Sequence, residues 1–233
     1  MRLFYTESSI EDIHQLTAEE SKHCIKVLRM GMGQELWLTD GQGTMCRCEI
    51  INPDHHACEV SVIERIENHQ KRNHHLHIAL AATKNSARIE WFLEKAVEIG
   101  IDEITPIICD HSERDTIKTE RLDKIIVSAM KQSLKAYKPK LNAPTPILQL
   151  IKSAPEGIKA ICHCEDSQKT SLKDIYRPHE PITILIGPEG DFSAREIQTA
   201  LDHQFHPVSL GDCRLRTETA ALYAVTAINF INS

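Results

Sequence analysis

The feature that most restricts the fold is a change of texture at one polar run, Asn68-His-Gln-Lys-Arg-Asn-His-His75. Beyond it, apolar strand-like segments alternate with segments of helical period. That alternation predicts βα units forming a mostly parallel sheet with helices on its faces. Leu76–Ala82 reads as a buried strand. Residues 86–99 place Ile89, Phe92, Leu93, Ala96 and Val97 at helical spacing, with Gly100 where a C-cap belongs. Glu103–Cys109 is a strand again, and a basic helix covers 119–136 before Lys138-Pro139. Strands follow at Ile158–Cys162, Thr183–Ile186 and Pro207–Leu210, with helices over 193–204 and from 217.

Before the polar run the chain is built differently. Arg2–Tyr5, Glu35–Thr39, Thr44–Ile51 and Ala57–Ile66 read as short strands, with hairpin chemistry at Asp40-Gly-Gln-Gly43 and a turn at Asn52-Pro-Asp54. One helix opens with a capping-box pattern, Thr17-Ala-Glu-Glu20. Short strands, tight turns and one helix predict a small β-barrel over residues 1–72, leaving 73–233 for the α/β domain.

Composition removes several classes of function. With 41% apolar and 26% charged residues in 233, the chain has the makings of a core and is no disordered tail. No apolar run approaches the roughly 18–20 residues of a membrane helix, and Met1-Arg-Leu-Phe-Tyr-Thr-Glu7 lacks the apolar stretch of an export signal. A cytoplasmic protein without a membrane partner is expected. The 8 cysteines form no Cys-x-x-Cys pair and read as reduced thiols. Cys46/Cys48 and Cys162/Cys164 would each share one face of a strand. Cys109, His111 and His163 lack zinc-ligand spacing, so no metal is expected. The net charge of −6 falls entirely within residues 1–70, whereas 114–140 is basic, from Arg114 to Lys140. That basic stretch is either a solvated helix face or an anion-binding surface.

In open parallel sheets, ligands bind where loops leave the carboxyl ends of strands. Two such loops carry unusual residues. Ile184-Leu-Ile-Gly-Pro-Glu-Gly-Asp-Phe-Ser193 runs a buried strand into two glycines and then a capping box, Ser193-Ala-Arg-Glu196. It is either a plain β–α turn or a loop that lets backbone approach a ligand. It matches neither nucleotide-binding glycine pattern. The second loop, Ser209-Leu-Gly-Asp-Cys-Arg-Leu-Arg-Thr-Glu-Thr-Ala220, crowds Arg214, Arg216, Thr217, Glu218 and Thr219 around a helix start. Capping and the helix dipole account for Thr217 and Glu218. They do not account for two arginines, which the dipole disfavours.

Together, Ile186-Gly-Pro-Glu-Gly190 and Leu210-Gly211 with Leu215-Arg-Thr-Glu-Thr-Ala220 resemble the RsmE family, SPOUT-class methyltransferases of uridine N3 in small-subunit (16S) ribosomal RNA. Lys95-Ala-Val-Glu-Ile-Gly100 with Ile104-Thr-Pro106, Glu120-Arg-Leu, Lys131-Gln-Ser133, Pro139, His23 with Val27-Leu-Arg29, and Asp40-Gly41 extend the resemblance along nearly the whole chain. It implies a PUA-like barrel, a SPOUT α/β domain with a deep trefoil knot, and a homodimer. The cofactor it implies is S-adenosylmethionine, lined by Ile186, Gly187, Pro188, Glu189, Gly190, Leu210, Gly211, Leu215 and Arg216. The chain departs from the family in places: Asp191 stands where glycine is usual, Cys213-Arg214 where Arg-Ile is usual, and Lys131-Gln-Ser-Leu-Lys135 where Glu-Gln-Ser-x-Arg is more usual.

The resemblance also suggests roles. Arg216, with Arg214, would stabilise charge on the uracil carbonyls. Glu218 would orient the base or accept its proton, or else only cap the helix. Arg2, Lys26, Arg29, Lys131, Lys135 and Arg214 would contact the RNA, the lysine and arginine charges giving a salt-dependent affinity. Competing readings are a SPOUT enzyme with a ribose-hydroxyl or purine-nitrogen acceptor, a non-catalytic RNA-binding protein, and a metal-binding regulator.

Overall fold

The computed structural model describes residues 1–113, 117–165 and 167–233; Arg114 and Asp115 of the basic stretch lie outside the described residues. The chain divides into two compact units, Met1–Lys71 with Val127–Lys138, and Arg72–Ile126 with Pro139–Ser233.

The first unit is a five-stranded mixed sheet. Its strands are β1 (Leu3–Tyr5), β2 (Ile13–Gln15), β3 (Glu35–Thr39), β4 (Met45–Asn52) and β5 (Glu59–Ile66), ordered β1-β3-β4-β5-β2. β1 runs parallel to β3, and the remaining neighbours are antiparallel. The expected closed barrel is a curled half-barrel instead. Both edge strands are three residues long and do not pair with each other, so too few ladder bonds exist to close it. Asp40 sets the β3–β4 hairpin by accepting the N–H groups of Gln42 and Thr44.

Phe4, Leu36, Leu38, Ile50 and Val60 fill the core together with Cys24, Cys46, Cys48 and Cys58, so half the cysteines act as small buried hydrophobes. Burial pushes the Cys48 thiol up to about 12, far from a reactive thiolate. Helix α1 (Ala18–Lys22) starts at Thr17, whose Oγ1 accepts the Glu20 N–H. The reciprocal half of that capping box is missing, because the Glu20 carboxylate is held by Lys131. The helix continues as an unpredicted π-turn over His23–Val27. Residues of the 127–138 segment belong to this unit: Ala136 packs with Leu3 and Met45, and its carbonyl accepts the Thr39 hydroxyl.

The second unit holds an eight-stranded sheet of parallel pairs. Its strands are β6 (Leu76–Ala81), β7 (Glu103–Ile108), β8 (Lys140–Leu141), β9 (Thr145–Pro146), β10 (Ile158–Cys162), β11 (Thr170–Ser171), β12 (Ile182–Ile186) and β13 (His206–Ser209). The order is β11-β13-β10-β12-β6-β7-β8, with β9 also on β7. Helices α2 (Ser86–Ile99), α4 (Ile147–Ser153), α5 (Leu172–Ile175), α6 (Ala194–Asp202) and α7 (Thr217–Ile231) connect or cover the strands, while α3 (Thr119–Gln132) begins in this unit and from Val127 belongs to the first. β6 and β12 are buried along their whole length, as expected of strands covered on both faces.

Gly100 caps α2 at φ 130°, and its carbonyl accepts the Asn229 side chain of α7. α3 ends four residues short of the sequence expectation. Ser133 turns its hydroxyl onto the Ala129 carbonyl, and Leu134 adopts φ 57°.

Candidate active site

The carboxyl ends of β10, β12 and β13 surround a cleft of roughly 530 Å³. Its wall comprises Cys162, His163 and Cys164 after β10, Ile186, Gly187 and Pro188 after β12, and Leu210, Gly211, Arg214 and Leu215 after β13. This is the place the strand-end rule predicts, where the strand order turns back on itself.

The loop after β12 is held from several sides. The Ser193–Glu196 capping box is complete, and Glu196 also accepts the Asp110 N–H, so its buried carboxylate is fully used. Asp191, at φ 62°, accepts the Cys164 N–H at 2.7 Å and the Phe192 N–H at 2.9 Å. That left-handed backbone is one a glycine would adopt at no steric cost, and the bond to Cys164 ties the β10 exit to this loop. His111 Nδ1 lies 3.1 Å from the carbonyls of both Gly190 and Asp191. At Gly187 a side chain would press on the Phe192 ring, with a Cβ only 3.1 Å away.

The loop after β13 is open. Gly211 has φ 119° and empty space where a Cβ would stand, so glycine serves the turn there and not packing. Residues 211–214 are exposed, and Ser209 bonds to Gly211 locally. Thr217 closes the gap between the two loops by donating its hydroxyl to the Gly187 carbonyl at 2.9 Å.

The predicted residues separate into groups. Ile186, Gly187, Pro188, Leu210, Gly211, Leu215 and Arg214 line the cleft. Glu189 and Gly190 belong to its held loop without lining it, and Arg216 is the exposed N-cap residue of α7. Glu218 is 7% exposed and does not line the cleft. Its Oε1 lies 3.7 Å from Arg88 Nε, and the same guanidinium holds Glu189 at 3.2 Å. Arg2, Lys26 and Arg29 are exposed on the first unit, Lys135 is half-buried, and Lys131 is paired with Glu20.

Sequence reasoning missed Arg88 and Lys169, and considered His163 only as a metal ligand, not as part of the cleft wall. Arg88 sits in the first turn of α2, where the dipole disfavours a cation; that mismatch was the available signal. His163 is buried in the cleft wall with both ring nitrogens unpaired. Among the described residues, no group of three or more His, Cys, Asp or Glu is arranged to hold a metal ion, and no helix is long and apolar enough to cross a membrane.

A parallel α/β sheet with a cleft at its strand ends defines the class of α/β ligand-binding domains, here joined to a small mixed sheet. Residues 70–229 match the model of an RNA methyltransferase domain, and residues 16–63 match that of an RNA methyltransferase PUA domain. A ribosomal RNA small subunit methyltransferase E of Mesomycoplasma hyopneumoniae is 31% identical over 174 residues, covering 72% of this chain and 75% of the relative. A probable rRNA-methyltransferase from Porphyromonas gingivalis superposes with TM-score 0.93 at 42% identity, covering 100% of this chain and 98% of that one. A ribosomal RNA small subunit methyltransferase E from Neisseria gonorrhoeae bound to S-adenosyl methionine gives TM-score 0.88 at 26% identity, covering 100% and 98%. The chain belongs to the ribosomal RNA small subunit methyltransferase E family.

Proposed function

We propose that this protein transfers a methyl group from S-adenosylmethionine to N3 of a uridine in 16S ribosomal RNA, in the cytoplasm and within the small ribosomal subunit. The cleft carries this reading: three strand ends, two loops tied together by Thr217, and arginines that make no ion pair among the described residues beside it. Its volume of roughly 530 Å³ lies in the range of small-ligand sites. Gly187 leaves backbone bare, and the unpaired nitrogens of His163 offer buried bonding groups, so the residues present fit the cofactor.

When bound, S-adenosylmethionine supplies an electrophilic methyl group on its sulfonium. The protein's work is then to orient the acceptor and exclude competing geometries. Ile186, Gly187, Pro188, Leu210, Gly211 and Leu215 would wall the cofactor, while Glu189 and Gly190 keep the first loop in shape. Uridine N3 becomes nucleophilic as its proton leaves, and negative charge spreads over the flanking carbonyl oxygens. Arg216 would meet that charge, with Arg214 beside it. Glu218, turned to Arg88 and outside the cleft lining, supports the structural of its two roles over proton acceptance.

Arg2, Lys26, Arg29 and Lys135 are our candidates for phosphate contact; Lys131 is the weakest of the set because Glu20 already neutralises it. We infer the trefoil knot and the homodimer from family membership. Tyr223 and Phe230, seven residues apart on α7 and 51% and 79% exposed, support a covered helix face in the dimer. The test is methyl transfer from labelled S-adenosylmethionine to small subunits lacking their native N3-methyluridine, followed by nucleoside analysis. Label in N3-methyluridine is expected; label in another nucleoside would overturn the acceptor assignment.

A further inference from the structure

Two histidines are buried in the parallel-sheet unit, and they are treated in opposite ways. His77, on β6, has both ring nitrogens engaged, Nε2 with Thr105 Oγ1 at 2.7 Å and Nδ1 with Thr183 Oγ1 at 3.3 Å. His163 is 8% exposed and neither of its nitrogens has a partner. Buried polar groups in folded proteins are nearly always satisfied. Single atoms of His14, Glu20, Arg72 and Glu218 are also unpaired among the described residues, but only His163 has both of its polar atoms so, which calls for an explanation. It lies between Cys162 and Cys164 in the wall of the cleft.

The surroundings narrow what completes it. Burial is the main influence holding the ring neutral, with Lys169 adding to it and Asp191 and Glu165 opposing. A neutral imidazole offers one donor and one acceptor. Charged groups able to meet a ligand's carboxylate or ammonium also line the cleft, at Lys169, Asp212 and Arg214. The oxygens of Asp191 are already spent on the Cys164 and Phe192 N–H groups. The buried, uncharged position suits an uncharged partner carrying both donors and acceptors, which a nucleoside does and an amino-acid end does not.

We propose that His163 is a cofactor-binding residue that hydrogen-bonds the adenosyl part of S-adenosylmethionine through both ring nitrogens. This rests on the reading of the cleft as the cofactor site. Binding then supplies partners to an imidazole that the protein's own groups leave unpaired, a stability–function trade-off at one side chain.

The experiment titrates the wild-type protein, His163→Phe and His163→Asn with adenosine, S-adenosylhomocysteine and methionine by calorimetry, and records each ligand-free melting temperature. His163→Phe is expected to weaken adenosine and S-adenosylhomocysteine by about 10-fold or more while its ligand-free Tm stays at or above wild type. A core histidine with a purely structural role would lower that Tm. His163→Asn, which keeps a donor and an acceptor, should recover part of the affinity. Wild-type adenosine affinity should fall as pH is lowered and His163 gains a proton beside Lys169, with Asp191 and Glu165 the other charges acting on it. His163→Asn should be flat over the same range. Affinities within twofold of wild type in His163→Phe, or a loss confined to methionine, would overturn the proposal. If the wild-type protein binds neither adenosine nor S-adenosylhomocysteine, the cofactor reading of the cleft falls first.

Discussion

The two loops that wall the cleft leave the strands on either side of β10, yet they are built on opposite principles. The loop after β12 is fixed by its own Asp191, which reaches out to the β10 exit, by Glu196 of the helix that follows it, and by His111 and Arg88 from other parts of the unit. The loop after β13 keeps a local Ser209–Gly211 turn and leaves Asp212, Cys213 and Arg214 exposed. A held loop gives a cleft its shape, and an open one delivers charge to a substrate that must enter and leave. Thr217 is where the two meet.

The largest way to break this division is to remove the charge next to the open loop. Arg216→Ala is expected to lower kcat about 100-fold, in the range found for lost oxyanion donors, while S-adenosylmethionine affinity stays within about threefold. Arg216→Lys should recover little, since an ammonium lacks the planar fork. Single-turnover rates alongside calorimetric binding separate the two quantities. Equal losses in both would move Arg216 from charge stabilisation to cofactor binding.

Next comes the joint. Thr217→Val keeps the shape and removes the donor to the Gly187 carbonyl, leaving a buried acceptor without it. The expected cost is about 1–3 kcal/mol, read as a Tm lower by roughly 2–4 °C per kcal/mol for a chain of this size, with a raised KM for S-adenosylmethionine. An unchanged Tm would mean the loops do not depend on one another.

Much of this contrast was legible in the residues. The Gly-Pro-Glu-Gly turn, the Ser193–Glu196 box and the surplus arginines are local patterns, and local patterns survive in sequence. What was hidden is long-range. Arg88 meets carboxylates more than 100 positions away, and Glu20 gave its capping bond to Lys131 across 111 positions. No window of sequence contains both partners. β2 is three residues with a single buried side chain, too short to show a period, and the same shortness of the edge strands leaves too few ladder bonds to close the half-barrel. α4 could have been found, since Ile147, Leu150 and Ile151 stand at helical spacing and all are buried.

A smaller effect separates conformation from bonding in the held loop. Asp191→Ala loses the bond to Cys164 and keeps a side chain at φ 62°; Asp191→Gly loses the same bond and sheds the strain. The glycine variant is expected to be more stable than the alanine variant by about 1 kcal/mol, measured by urea unfolding. Equal stability of the two would place the whole role of Asp191 in its hydrogen bonds.

The smallest effect tests whether the open loop is a phosphate contact at all. Arg214 lines the cleft, is exposed and makes no ion pair among the described residues. Neutralising one phosphate contact makes the slope of log affinity against log salt shallower by about 0.7 on single-stranded RNA and 0.9 on a duplex. Arg214→Ala is therefore expected to weaken RNA binding a few-fold at moderate salt, with a slope shallower by about that amount and the difference vanishing at high salt. Filter binding of small-subunit RNA over a salt series measures it. A parallel line, weaker at every salt concentration, would show that Arg214 shapes the loop without touching phosphate, and the two loops would then differ in rigidity alone.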